Sequence, residues 1–477
     1  MLKGRNMHTK KIDRVNYALI VIILLYTGIF CGITIWRYYH YLHERSGDLL
    51  LFEQVVYNTA HNKPFYNNFS AQSHFGDHNS PILAIMVPFV YFIPTPYVLY
   101  IFSVLSVAIS AIPIFLLCRD KLKNYKSSLL LTVAYLLLPG FVGQYYQSFH
   151  EMNLVVPFLT FAFYFFIQER FWAFLGMFAM ALLVKEDVSL TLFMFAPYAF
   201  IKKKGRMWII TPALVTIVWF LLSVKIIIPF FNKTNSYGVG LSYFSSFGSS
   251  ISDIILTILG KPLQTMHILF SEDKLWYLFY LLLPVGLVLP FFSCEILFAL
   301  PSIILNLLPE SDRFRLAICS IGSTRYIIEK HMSIIACIYL FIALIYSMES
   351  ISSKLEKIFP KSTLLISLCI FVLVLYNDRF IMVKQFYFTD ENIELYQPEP
   401  YAINKIITKI PNNATVTSNR DIANHLYEKR DVNYNMGNIT TDYLILTRMD
   451  DTVTDANISK QYELVSRDEK IILLKKK

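Results

Sequence analysis

Residues 171–204 read FWAFLGMFAMALLVKEDVSLTLFMFAPYAFIKKK. Two apolar runs, 171–184 and 188–201, are parted only by Lys185-Glu186-Asp187 and closed by Lys202-Lys203-Lys204. Three adjacent charges with almost no loop to solvate them cannot all face lipid. They form either a mutual ion pair or part of a site for a polar ligand. The pattern recurs outward from there. Apolar runs of about twenty residues, each near the length that crosses a bilayer, repeat from Tyr17 to Asn377, and ionisable residues gather at their ends. With 55% hydrophobic and 16% charged residues among 477, against about a quarter charged in a soluble chain, this is an α-helical polytopic membrane protein.

Lys3, Arg5, Lys10, Lys11 and Arg14 precede the first run and place the N-terminus in the cytoplasm. Counting from there gives about eleven spans, at 16–37, 97–118, 127–147, 153–168, 171–184, 188–201, 207–231, 275–292, 294–309, 332–349 and 362–377. The lysine-rich loops then all fall inside. The net charge of +9 reads as this bias and not as affinity for nucleic acid. Residues 1–380 form the membrane domain, with an outer loop at 38–80. Residues 381–477 turn polar, with strand-like runs at Ala414–Thr417, Tyr443–Thr447 and Ile471–Leu474 and a helical stretch at Tyr401–Lys409. They read as a small extracytoplasmic α/β domain, with the C-terminus outside.

On this count Asp48, Asp77, His78, His150, Glu151, Lys185, Glu186 and Asp187 share the non-cytoplasmic face. Asp48 opens an amphipathic stretch with Phe52, Glu53, Val56 and Tyr57; it is a helix cap or a general base for a bound hydroxyl. Glu53, five residues on, lies off the Asp48 face. His74-Phe75-Gly76-Asp77-His78 crowds two imidazoles and a carboxylate into five positions. His74, Asp77 and His78 are candidate ligands for a divalent cation, or groups for a polar ligand, or a structural turn. His150-Glu151 ends the third span. Lys185 is suited to a phosphate, with Glu186 or Asp187 orienting another group. Arg313, Arg315 and Arg325 are suited to the same anion or to a solvated loop. No phosphate-binding glycine loop, nucleophile elbow or His-Glu-x-x-His motif is present.

At these residues the chain resembles the DUF2079 family of predicted prokaryotic membrane proteins, within the GT-C superfamily of membrane glycosyltransferases. The matching marks are Asp48 with Phe52, Gln54 and Asn58; His78-Asn79-Ser80-Pro81-Ile82; Phe149-His150-Glu151; Lys185-Glu186-Asp187; and Pro301-Ser302 with Asn306-Leu307-Leu308. In the tail they are Ile410-Pro411, Ala414-Thr415-Val416, His425-Leu426 and Asp442-Tyr443-Leu444-Ile445-Leu446. The family reads His-Phe-Ser-Pro where this chain has His78-Asn79-Ser80-Pro81. The resemblance implies a GT-C-like enzyme of the cell membrane that takes a polyprenyl-phosphate-linked sugar donor and an extracytoplasmic acceptor. It further implies inversion, Asp48 as base, and a leaving phosphate met by Lys185, an outer arginine or a divalent cation. Two other readings compete: a transporter or lipid flippase, with the same charges lining a path, and a non-catalytic envelope assembly or sensor protein. The sugar and the acceptor are not written in the sequence.

Overall fold

The structure, a computed structural model, describes residues 2–42, 47–68, 70–146, 149–233, 244–309, 331–387, 399–418, 420–427, 431–433, 439–447, 456–468 and 470–477. Among them, five helices are long and apolar enough to cross a membrane: Tyr17–Tyr39, Thr95–Leu122, Tyr125–Tyr146, Arg206–Phe231 and Ile334–Leu355. The expectation of eleven spans is therefore corrected. Run 362–377 lies in helix Ser362–Tyr387, 26 residues, and the others fold into shorter helices, among them Phe171–Leu182 with 12 residues and Val155–Ile167 with 13. Run 188–201 is two helices, Val188–Phe193 and Phe195–Ile201. Runs 275–292 and 294–309 become helix Glu272–Leu282, three short 3-10 turns and helix Leu300–Leu307. Pro284, Pro290 and Pro301 each sit at the start of one of these pieces, where the missing N–H and fixed φ suit a first turn but not a helix interior.

The long helices divide by burial. From Ile334 to Ile345 every side chain of Ile334–Leu355 is buried, so this helix is the bundle's centre. Tyr17–Tyr39 and Arg206–Phe231 instead expose Leu24, Leu25, Ile29, Leu214, Ile217 and Leu221, the surface a bilayer covers. Around the centre pack Phe163, Phe166, Phe174, Phe195 and Phe298, with ring centroids 4.7 to 6.4 Å apart in the contacting pairs.

The helix Asp48–Ala60 follows the first span. Its N-cap is Gly47 at φ 86°, a left-handed conformation glycine enters at no steric cost. After it, β1 (Tyr66–Asn67) and β2 (Gln72–Ser73) form a short antiparallel hairpin that leads into a 3-10 turn, His74–Gly76. That turn lies against the end of Arg206–Phe231, where the Asn232 side chain donates to the Gly76 carbonyl at 2.7 Å. A Cβ at Gly76 would sit 2.7 Å from the Phe231 carbonyl oxygen, so only glycine permits the approach.

In the tail, β3 (Thr415–Thr417), β4 (Asp431–Asn433), β5 (Tyr443–Thr447), β6 (Tyr462–Arg467) and β7 (Ile471–Lys476) form one sheet in the order β4-β3-β5-β7-β6. β3 pairs in parallel with β4 and β5; β7 is antiparallel to β5 and β6. Strand β5 is buried throughout, as an apolar central strand should be. Helix Pro400–Ile407 lays Ala402, Ile403 and Ile406 into the same core, which also takes in Tyr41 and Leu50 of the first loop. Tyr38 donates to the Asn424 carbonyl at 3.2 Å, Tyr41 donates to Asn404 Oδ1 at 2.9 Å, and the His425 ring lies 4.0 Å from Tyr38 and 4.1 Å from Tyr41.

Candidate functional site

Short helices stop where charge begins. Helix Phe171–Leu182 ends just before Lys185-Glu186-Asp187, and the 3-10 turn Glu151–Leu154 precedes Val155–Ile167. The turn opening at Pro81 is tied to the first of these by a backbone bond from Ile82 N to the Leu183 carbonyl, 3.0 Å. Three separate segments thus deliver His74, His78, His150, Glu151, Lys185, Glu186 and Asp187 to one buried cluster.

Within it, His78 Nδ1–H donates to Glu186 Oε1 at 2.9 Å, and the Asn79 amide donates to Oε2 at 3.1 Å. His150 Nδ1 lies 2.9 Å from Glu151 Oε2, and Lys185 Nζ lies 3.7 Å from Oε1. The same His150 nitrogen is 3.3 Å from the Met152 amide. It cannot both accept there and donate to the carboxylate, and the shorter, charge-assisted contact holds the proton. Burial alone would raise both glutamates, but their cationic neighbours outweigh it. His78 and Lys185 bring Glu186 down to about 2, and His150 and Lys185 hold Glu151 well below the ordinary range. Asp187 goes the other way: burial raises it, Lys185 pulls against that, and Glu186 adds to the rise. Two adjacent carboxylates thus have opposite tendencies.

His74 is 1% exposed, and among the described residues neither ring nitrogen has a hydrogen-bond partner. Burial drops its pKa from 6.5 to about 3, so the ring is neutral when folded. It packs edge-on to Phe52 at 5.5 Å, and Phe52 also meets Phe149 and His150, both at 5.3 Å. The sign of the linkage follows. The unfolded imidazole takes up a proton below pH 6.5 and the folded one does not, so stability is lost as pH falls from 6.5 towards 3. Thermal unfolding in detergent is expected to show this loss already between pH 6.5 and 5, and His74→Phe is expected to flatten that part of the profile. A His74→Phe profile as steep as wild type would contradict the assignment.

The remaining candidates separate from the cluster. Asp77 accepts from Ser70 Oγ at 3.0 Å and Gln72 Nε2 at 2.9 Å, so it turns away from His74 and His78. Among the described residues no group of three or more His, Cys, Asp or Glu side chains is arranged to hold a metal ion. Among the described residues, His74, Asp77 and His78 are thus not arranged to hold the divalent cation that the resemblance allowed. Glu53 is wholly buried and lines a different cavity. Asp48 is half-buried in the first turn of its helix, one turn before Phe52 and so on the flank that meets the cluster. Arg325, with Arg313 and Arg315, lies outside the described residues.

Two positions that adjoin the cluster escaped the sequence reading. Asn79, which stands where the family has an aromatic residue, donates through Nδ2 to Ser223 Oγ at 2.7 Å. Ser223 begins a π-helical turn, Ser223–Ile227, inside the span Arg206–Phe231, and such turns recur at functional sites. A serine in an apolar helix gives no sign of it; the polar substitution at Asn79 was the available signal.

Compared with solved structures, this fold is similar to the crystal structure of ArnT from Cupriavidus metallidurans bound to undecaprenyl phosphate. The TM-score is 0.54 at 9% identity, covering 95% of this chain and 97% of that one. The apo-state crystal structure of ArnT from the same organism matches over the same shares at 9% identity with a TM-score of 0.49. At that identity the likeness is one of fold, the GT-C-like fold. No curated protein matches in sequence. Residues 40–470, nearly the whole chain, match the family described as predicted membrane protein DUF2079, and the protein belongs to that family.

Proposed function

We propose that the protein is a membrane glycosyltransferase that moves a sugar, with inversion, from a polyprenyl-phosphate-linked donor to an extracytoplasmic acceptor. The observation that supports this most is the cluster itself: Lys185, His78 and His150 gathered with Glu151 and Glu186 at the ends of short helices, beside the helix that carries Asp48. The fold resembles that of a protein crystallised with undecaprenyl phosphate. Charges at helix ends favour chemistry at the membrane edge over a path through its middle, where a transporter keeps its sites.

In this reading the acceptor hydroxyl gives its proton to the Asp48 carboxylate as its oxygen bonds to the anomeric carbon from the face opposite the phosphate. The bond from that carbon to the phosphate oxygen breaks, and both electrons leave with polyprenyl phosphate. Lys185 meets the charge. At 3.7 Å its contact with Glu151 is looser than either histidine pair at 2.9 Å. Glu186 holds His78, and Glu151 holds His150, each through its Nδ1 edge. The N-terminus lies in the cytoplasm and the tail domain outside.

The test is release of polyprenyl phosphate by purified protein from a panel of polyprenyl-phosphate sugars, with cell-envelope extract supplying acceptors. Release from one donor is expected. A folded protein that releases none would end this reading and favour transport or binding.

A further inference from the structure

His74 has a backbone whose hydrogen bonds are all made and a side chain that makes none. Its N–H donates to the Phe65 carbonyl at 2.7 Å, and its own carbonyl accepts from the Asp77 and His78 amides, both at 2.9 Å. The turn it opens is pinned through Gly76, whose carbonyl accepts from Asn232. The imidazole is therefore held in one place. It is 1% exposed, and neither Nδ1 nor Nε2 has a hydrogen-bond partner among the described residues. Unmet polar atoms under burial cost stability. A phenylalanine would pack edge-on to Phe52 as well and carry no such cost. Chains break local rules of this kind at functional sites.

The neighbours of the ring say what it can meet. On one side is Phe52, one turn along the helix from Asp48. On the other the His78 ring lies 6.0 Å away, bonded to Glu186, which follows Lys185 in the chain. Asp187 Oδ1 is likewise buried with no hydrogen-bond partner among the described residues. It shares four charged neighbours with His74, namely His78, Glu151, Lys185 and Glu186. Two unmet polar groups thus face the same surroundings. An uncharged imidazole offers one N–H and one lone pair. That pair of functions complements a hydroxyl, which both donates and accepts. It brings no charge to a phosphate, which falls to Lys185. In-line displacement from the Asp48 side toward Lys185 sets the sugar ring between those two residues, where His74 stands. We propose that His74 hydrogen-bonds a hydroxyl of the donor's sugar and so holds that ring between Asp48 and Lys185. The assignment rests on the sugar-transfer reading. It divides the donor between separate groups, the sugar to the neutral ring and the phosphate to the lysine.

The experiment uses the full chain in lipid nanodiscs, with binding read by native mass spectrometry. The probes are polyprenyl-phosphate-linked glucose, galactose, mannose and N-acetylglucosamine, with polyprenyl phosphate alone as the sugar-free counterpart. Wild type is expected to bind at least one sugar-bearing lipid more tightly than the bare phosphate. His74→Phe is expected to lose about tenfold in affinity for that lipid and to keep its affinity for polyprenyl phosphate within about twofold. It should also unfold at an equal or higher temperature. His74→Asn and His74→Gln each restore a donor and an acceptor, and at least one of them should bind the sugar-bearing lipid more tightly than His74→Phe. A ring kept only for packing gives the reverse order, with phenylalanine above both amides, and that order would overturn the proposal. So would an equal loss on the bare phosphate, or wild-type binding that does not distinguish the sugar-bearing lipids from it. Binding that depends on His74 without release of polyprenyl phosphate would remove the transferase reading and leave the sugar contact. Release by wild type with binding indifferent to His74 would remove the contact alone.

Discussion

Asp48→Asn is expected to slow sugar transfer by about 10²- to 10⁴-fold, the range lost with a general base, while leaving the protein folded. The two effects separate because of where Asp48 sits. It occupies the first turn of Asp48–Ala60, behind a glycine cap, where the helix dipole favours a carboxylate by about 0.3–1 kcal/mol. Asparagine keeps the size and the accepting oxygen but cannot take a proton from the acceptor hydroxyl. Single-turnover rates with a saturating donor, beside thermal unfolding of the same preparation, make the comparison. Turnover within about twofold of wild type would remove Asp48 from the chemistry.

Glu186→Gln and Asp187→Asn should move stability in opposite directions although the residues are adjacent. Glu186 is tied to His78 and to the Asn79 amide, and its pKa is lowered from 4.5 to about 2. A depressed carboxylate contributes stability that is complete above pH 4.5 and is lost as pH falls towards 2. Glutamine forfeits that contribution at pH 7 and leaves His78 and Lys185 facing one charge fewer. Breaking a buried pair in this way costs about 3–5 kcal/mol. The pKa of Asp187 is raised above 3.8, chiefly by burial. Its charged form is therefore a cost once pH rises past its ionisation, and the neutral amide is expected to hold or raise the unfolding temperature at pH 7. Equal losses in both variants would refute the opposed shifts.

Much of the cluster was legible because an ionisable side chain at the end of an apolar run has few harmless explanations. Lys185-Glu186-Asp187 and His150-Glu151 stood out on that ground alone. The helix lengths did not, because hydropathy measures how far an apolar run extends and not whether its backbone stays α-helical. Prolines at 284, 290 and 301 divide one long apolar region into turns, and Pro197, which cannot donate to the Phe193 carbonyl four residues back, lies in the first turn of the second of the two helices that meet at Met194. Partners were hidden for another reason. Asp77 looked like a third ligand beside His74 and His78, yet its rotamer is set by Ser70 and Gln72 in the preceding hairpin. His425 lies hundreds of residues from Tyr38 and Glu53, and only tertiary packing makes it their neighbour. In the tail, β5 and β7 were readable as apolar runs, whereas β4 is three residues long and β6 exposes Glu463 and Leu464.

The brevity of the helices beside the cluster has a consequence for depth. From Val188 to Ile201 the chain is two helices that together rise at most about 21 Å, with Lys185-Glu186-Asp187 at one end and Lys202-Lys203-Lys204 at the other. The hydrocarbon layer is about 30 Å thick. Lys202 is 37% exposed at its side chain, whereas Lys185 and Glu186 are nearly closed off from solvent. With the lysine end anchored in water, the opposite end falls short of the far interface by roughly 9 Å. On the proposed orientation the cluster would then sit near the membrane edge but a little below the headgroup plane, at the floor of a shallow well. In the sugar-transfer reading, a carrier lipid would present its phosphate at that floor along its own tail, while a water-borne partner would descend from above.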